Sequence, residues 1–225
     1  MKTGMTVTVA AVVAIFAGAS AVRAQDPVKV DPAHYKVILD NPSVRVLRIT
    51  YPAGSKSVMH EHPDAMVFML SGGNMSFATP DGKTEQRESA KDSAMFTPAG
   101  THLPSNPGKT TMDAILVEFK AAQPGTATIP ASLPGRQVKV LAESPRADAM
   151  MVTLEPSFNE PAGTKHDYDQ VVIALGPADV SLALDGKPAK TTWKRGDVSF
   201  IGRGVPHESK ITGGKPVNVA IIAVK

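Results

Sequence analysis

Two histidines, His60 and His62, stand one residue apart in the stretch "SVMHEHPDAM" (57–66). In an extended chain the side-chain period is two, so both imidazoles project from one face while Glu61 points to the other. Two imidazoles so placed can chelate one ion, and a third ligand must come from elsewhere. His102, closing "PAGTH" (98–102), is the candidate if its strand lies beside theirs. Three neutral imidazoles suit one divalent transition metal, Fe, Mn, Ni, Cu or Zn, and leave coordination positions open for water or substrate. Asp64 shares the parity of His60 and His62 and could add a carboxylate, although Pro63 disturbs the strand between them. A lesser set, His166, Gln170 and His207 with Tyr168 nearby, occupies the second half of the chain, where Gln is a poor neutral ligand. The sequence contains no cysteine, so thiolate ligands and disulfides are excluded.

The elements that must position these groups repeat. "YPAGSKSVMHEH" (51–62) is echoed by "EPAGTKHDYDQ" (160–170), "PDGK" (80–83) by "LDGK" (184–187), "PAGTH" (98–102) by "GRGVPH" (202–207), and the run ending at Lys120 by the run ending at Lys225. The offsets are 109, 104, 105 and 105 residues, which indicates a duplicated unit. Between the copies, 121–135 is rich in Pro, Gly and Ala and reads as a linker. Within each copy, short apolar or alternating runs such as "VRVLRITY" (44–51), "MVFML" (66–70) and "DVSLAL" (179–184) are bounded by turn residues and read as strands. The Asp-Gly pairs are hairpin turns. The fold class expected is all-β, with two tandem barrels of the jelly-roll kind over 35–120 and 136–225.

At these residues the chain resembles the cupins, whose first motif runs Gly, five residues, His-x-His, three or four residues, Glu, six residues, Gly. Gly54, His60, His62 and Gly73 match, while Met66 or Val67 stands where the carboxylate belongs. In the second motif Pro98, Gly100, His102 and Asn106 match, with His102 one residue early and Asp92 in place of a Gly. In the second copy His166 aligns with the second histidine and Gln170 with the Glu, and Gly196, Gly204 and His207 keep the later spacing. The resemblance implies a two-domain cupin with a metal site in its first domain and a degenerate second domain. The missing Glu argues against four-ligand oxalate chemistry and favours, by resemblance, the oxygenases that use three histidines.

Compartment and partners follow from composition. The first 24 residues carry Lys2, an apolar run and small residues before Gln25, the layout of a secretory signal cleaved after Ala24 rather than a retained anchor. Removing Lys2 and Arg23 with it leaves 22 basic against 21 acidic residues, so nothing points to nucleic acid, nor to a membrane once the leader is gone. A periplasmic or secreted location is expected, with a small molecule as ligand or substrate; exposed barrel edges leave a homodimer open. Two readings of function stand: a small-molecule metalloenzyme, oxygenase-like or isomerase-like, or a non-catalytic small-molecule or metal-binding barrel.

Overall fold

A computed structural model describes residues 25–120 and 125–225; the expected signal peptide lies outside the described residues. Eighteen strands and one short helix, Pro27–Val30, make up the described secondary structure. The first nine strands are β1 (Tyr35–Asp40), β2 (Val44–Tyr51), β3 (His60–His62), β4 (Ala65–Met69), β5 (Gly73–Ala78), β6 (Thr84–Ser89), β7 (Ala94–Thr97), β8 (Gly100–Ser105) and β9 (Met112–Phe119). They form a five-stranded sheet, β1-β2-β9-β4-β7, and a four-stranded sheet, β3-β8-β5-β6.

The second nine are β10 (Arg136–Glu143), β11 (Ala147–Leu154), β12 (Asn159–Thr164), β13 (Asp169–Ala174), β14 (Ala178–Leu184), β15 (Lys187–Trp193), β16 (Val198–Ile201), β17 (His207–Ile211) and β18 (Val217–Val224). Their sheets, β10-β11-β18-β13-β16 and β12-β17-β14-β15, repeat the first topology strand for strand. Both halves are jelly-roll barrels, and the all-β, two-barrel expectation describes the molecule.

Alternation sorts the central strands between two apolar bodies. On β4, Ala65 and Met69 join the cluster inside the first barrel, with Val67 packed against it. Met66 and Phe68 point the other way, into a cluster that also holds Ile115 and Val117 of β9 and Ala149, Val171, Ile173 and Ile222 of the second barrel. The central strands are therefore apolar on both faces, which is why they read as near-continuous hydrophobic runs. Arg195 fastens the junction: its guanidinium donates to the Leu175 carbonyl at 2.6 Å, to the Leu70 carbonyl at 2.7 Å and to the Asp92 carboxylate.

The two Asp-Gly turns differ in kind. Leu184 pairs with Lys187, and Asp185 and Gly186 both have positive φ (49° and 72°), a two-residue type I′ hairpin whose twist suits the strands. In the first barrel the loop between the paired Ala78 and Thr84 is three residues longer, with Gly82 alone at positive φ (82°). A Cβ on Gly186 would meet nothing within 4 Å, so Gly186→Ala is expected to cost about 1–2 kcal/mol through the left-handed backbone alone, read as a lower urea midpoint.

Candidate functional site

In the first barrel β3 is only three residues long, yet it carries the chemistry. His60 and His62 are buried and Glu61 is exposed, as period two requires. β3 is held on one side by β8, with His60 opposite His102, and on the other by a parallel bridge from Gln25. The ring of His102 lies 5.1 Å from that of His60 and 4.8 Å from that of His62, centre to centre.

Backbone carbonyls set the tautomers of the β3 pair. His60 Nδ1 is 2.9 Å from the Val58 oxygen, and His62 Nδ1 is 2.8 Å from the Pro63 oxygen. A carbonyl can only accept, so each Nδ1 carries the proton and each Nε2 presents a lone pair. The His60 lone pair faces the Tyr35 hydroxyl at 3.1 Å, which in turn pairs with the Tyr51 hydroxyl at 2.9 Å. Burial lowers the pKa of His60, and burial together with the neighbouring His62 and His60 lowers that of His102 to about 3. His60 and His102 are thus neutral and competent as ligands at physiological pH. Burial holds both phenols well above their usual range, so Tyr35 and Tyr51 stay protonated.

The three histidines line a cavity whose other walls are largely apolar, with Val67, Met69, Met75, Phe77, Met95 and Met112, and to which Tyr35, Tyr51 and Arg87 add polar groups. Alternation explains the carboxylate gap. Met66, at one of the two positions where a Glu was expected, faces the inter-barrel cluster, and Val67, the other, faces the cavity with nothing but methyls. Asp64 is not brought to the histidines; its Oδ1 accepts from the Ala99 amide at 2.7 Å and its Oδ2 lies 3.8 Å from Arg146. Glu118 shares the inward parity of Leu116 and Ala114, is 1% exposed, and pairs with Arg45, which leaves its Oε1 without a hydrogen-bond partner.

The second barrel holds a set that the sequence did not reveal. Thr164 opposes His207 as His60 opposes His102, so the first histidine of the motif is replaced by Thr164, and His166 lies two residues on. Ser209 opposes Glu160 on β12, and the Ser209 hydroxyl donates to Glu160 Oε2 at 2.8 Å. Glu160 Oε1 is 3.8 Å from His166 Nε2, and its Oε2 is 3.4 Å from His207 Nε2. Among the described residues, Glu160, His166 and His207 are the one set of three whose potential ligand atoms lie within 4.8 Å of one another. Burial would raise the Glu160 carboxyl, but His166, His207 and Ser209 outweigh it and hold the group well below the usual carboxylate range. Burial would lower His207, and Glu160 reverses that and raises it.

The register also corrects the repeat. The turn closed by Ser55 N–H to the Pro52 carbonyl has its counterpart at Phe158 N–H to the Glu155 carbonyl, and Lys56 opposite Ser105 corresponds to Asn159 opposite Lys210. Glu160 therefore stands where Ser57 stands, and the two "PAG" segments are not equivalent: the second is an irregularity inside β12, with Gly163 at φ 83°. The signal was available, since the offset of 109 departs from the 104 and 105 of the other three landmarks.

Gln170 and Tyr168 both line the second cavity, with Arg136, Trp193 and His207. Gln170 Nε2 and the Tyr168 hydroxyl are buried and lack hydrogen-bond partners. Pro130, from the segment expected as linker, also lines this cavity, and Thr128 is tied to Asp167 by two hydrogen bonds.

No protein-family model and no curated relative matches the chain. Solved structures do. AerE from Microcystis aeruginosa aligns at 14% identity over 85% of this chain and 97% of that one, with a TM-score of 0.63. A salicylate 1,2-dioxygenase from Pseudoaminobacter salicylatoxidans aligns at 13% over 81% of this chain and 71% of its own (TM-score 0.60). A Bacillus subtilis oxalate decarboxylase aligns at 13% over 84% and 71% (TM-score 0.59). A cupin 2 conserved barrel domain protein from Leptotrichia buccalis aligns at 14% over 85% and 88%, with a TM-score of 0.53. At these identities the likeness is one of fold, and the fold is that of the cupin barrels.

Proposed function

We propose that the protein is an exported metalloprotein whose first barrel holds one divalent transition metal through His60, His62 and His102 and acts on a small organic molecule as an oxygenase-type enzyme. The observation that carries the reading is the pair of carbonyl-anchored imidazoles, His60 and His62, whose Nε2 lone pairs belong to the same apolar cavity as the neutral His102. Anchoring the remote ring nitrogen on a fixed acceptor is how metal-ligating histidines are oriented. The chemistry of the donor set fits the group, since imidazoles without thiolate suit Fe, Mn, Ni, Cu or Zn, although the ring nitrogens of the three histidines do not all lie within 4.8 Å of one another. Such an ion, when bound, supplies a Lewis-acidic centre with open positions for substrate or oxygen.

The chain's own residues supply the rest. The methionines, Val67 and Phe77 receive an apolar body and exclude water. Arg87, over the Phe77 ring at 5.2 Å, offers a cation to an anionic substituent. Tyr35 donates to His60 Nε2; were that lone pair engaged by a metal, its hydroxyl would be free to donate to a ligand while Tyr51 holds it in place. Salicylate 1,2-dioxygenase and oxalate decarboxylase, which share the fold, are named for reactions of small carboxylic acids. The leader-like first 24 residues support export to the periplasm or beyond.

Elemental analysis of protein recovered from the periplasm tests the metal centre. The parent is expected to carry about one equivalent more than the His60→Ala, His102→Ala double variant; equal content in both would sink it. Oxygen uptake by the metal-loaded parent with a panel of small aromatic and aliphatic acids then tests the activity. A loaded protein that consumes no oxygen with any of them is the binding barrel instead.

A further inference from the structure

We propose that the second barrel is a separate divalent-cation centre, with Glu160, His166 and His207 as its protein ligands, that takes a small carboxylate as exogenous ligand. Two imidazoles and one carboxylate with their donor atoms within 4.8 Å of one another match the ligand set of open transition-metal sites. The His207 ring sharpens the point. Its Nδ1 lies 3.1 Å from the Val205 carbonyl and so carries a proton, which turns Nε2 toward the Glu160 carboxylate 3.4 Å away. A lone pair facing a carboxylate is repelled, so a cation, either a proton or a metal ion, belongs between them; His207 Nε2 is buried and has no hydrogen-bond partner. Ser209 donates to the same Glu160 oxygen and holds the carboxylate in place.

The rest of the wall asks for acceptors. Tyr168 and Gln170 are 1% and 4% exposed, and both line the cavity with a polar atom unpartnered. Amide and guanidinium N–H groups cannot ligate a cation, and leaving such donors buried and unpaired is costly. Arg136 adds charge: its Nε is also unpartnered, and its described contacts are the Ala131 carbonyl and the Phe158 ring. A carboxylate satisfies these donors, and its approach to Glu160 requires the cation that Glu160 and the histidines hold. The inference stands on the second barrel alone and not on the reading of the first.

Cobalt(II) titrated into the full chain carrying His60→Ala and His102→Ala, followed by equilibrium dialysis and visible absorption, tests it. One equivalent is expected to bind, and Glu160→Gln is expected to weaken binding at least tenfold. His166→Asn should do the same, which keeps the test decisive if one variant folds poorly by circular dichroism. No bound cobalt, or equal binding by both variants, overturns the centre and leaves a proton-sharing ion pair. Malonate is then expected to shift the cobalt spectrum saturably, with half-saturation raised about tenfold by Arg136→Gln. A spectrum indifferent to malonate, or an unchanged half-saturation, overturns the carboxylate ligand.

Discussion

Phe68→Ala is expected to destabilise the protein by about 3–5 kcal/mol, the range for a buried aromatic truncated to alanine. Phe68 is fully buried and belongs to the cluster that joins the two barrels rather than to the interior of its own. Its removal leaves a cavity against Ile115 and Val171, which rigid sheets on both sides are poorly able to close. Urea denaturation followed by intrinsic fluorescence reads the loss, with Ile38→Ala as the comparison. Ile38 sits on β1, 44% exposed, and its truncation is expected to stay within about 0.5 kcal/mol. Equal losses in the two variants would mean that the barrels do not depend on the shared cluster.

Acid is expected to weaken the metal-free protein through His102. Its folded pKa, lowered to about 3 by burial first and then by His62 and His60, lies far below the ordinary value of 6.5. Between those two values the unfolded chain takes up a proton that the folded chain refuses, so stability falls as pH falls from 6.5 toward 3. The slope is at most about 1.4 kcal/mol per pH unit for one group. His60, lowered in the same direction, adds to it. The unfolding free energy of chelator-treated protein, read from urea titrations, is expected to drop by about 2 kcal/mol between pH 6.5 and pH 5 on this slope. His102→Asn is expected to flatten that dependence, and an undiminished slope in the variant would remove His102 as its source.

The sequence was legible where the physics is local. Period-two alternation in "MVFML" and "QVVIALG", with glycine in each Asp-Gly turn, specifies strands and hairpins without reference to anything distant. Parity likewise put His60 and His62 on one face and Glu61 on the other. Parity could not say which face of β4 looks into the cavity, because both faces are apolar. Met66 turned out to serve the inter-barrel cluster and Val67 the cavity. Asp64 had the right parity and was drawn away by the Ala99 amide, a contact between segments 35 residues apart.

Glu160 is the sharper case. As a string it belongs to "EPAGT" and pairs with "YPAGS"; in space, the bridges from β12 to β17 set it on the Ser57 position and bring it to His166 and His207. The irregularity in β12 that separates string from space is decided by pairing with another strand, and no property of residues 160–164 alone encodes it. Residue types and their periods thus determined two all-β units and a histidine pair. Only the tertiary structure decided which carboxylate meets which imidazoles, because ligand sets are assembled across strands whose register is set by the whole sheet.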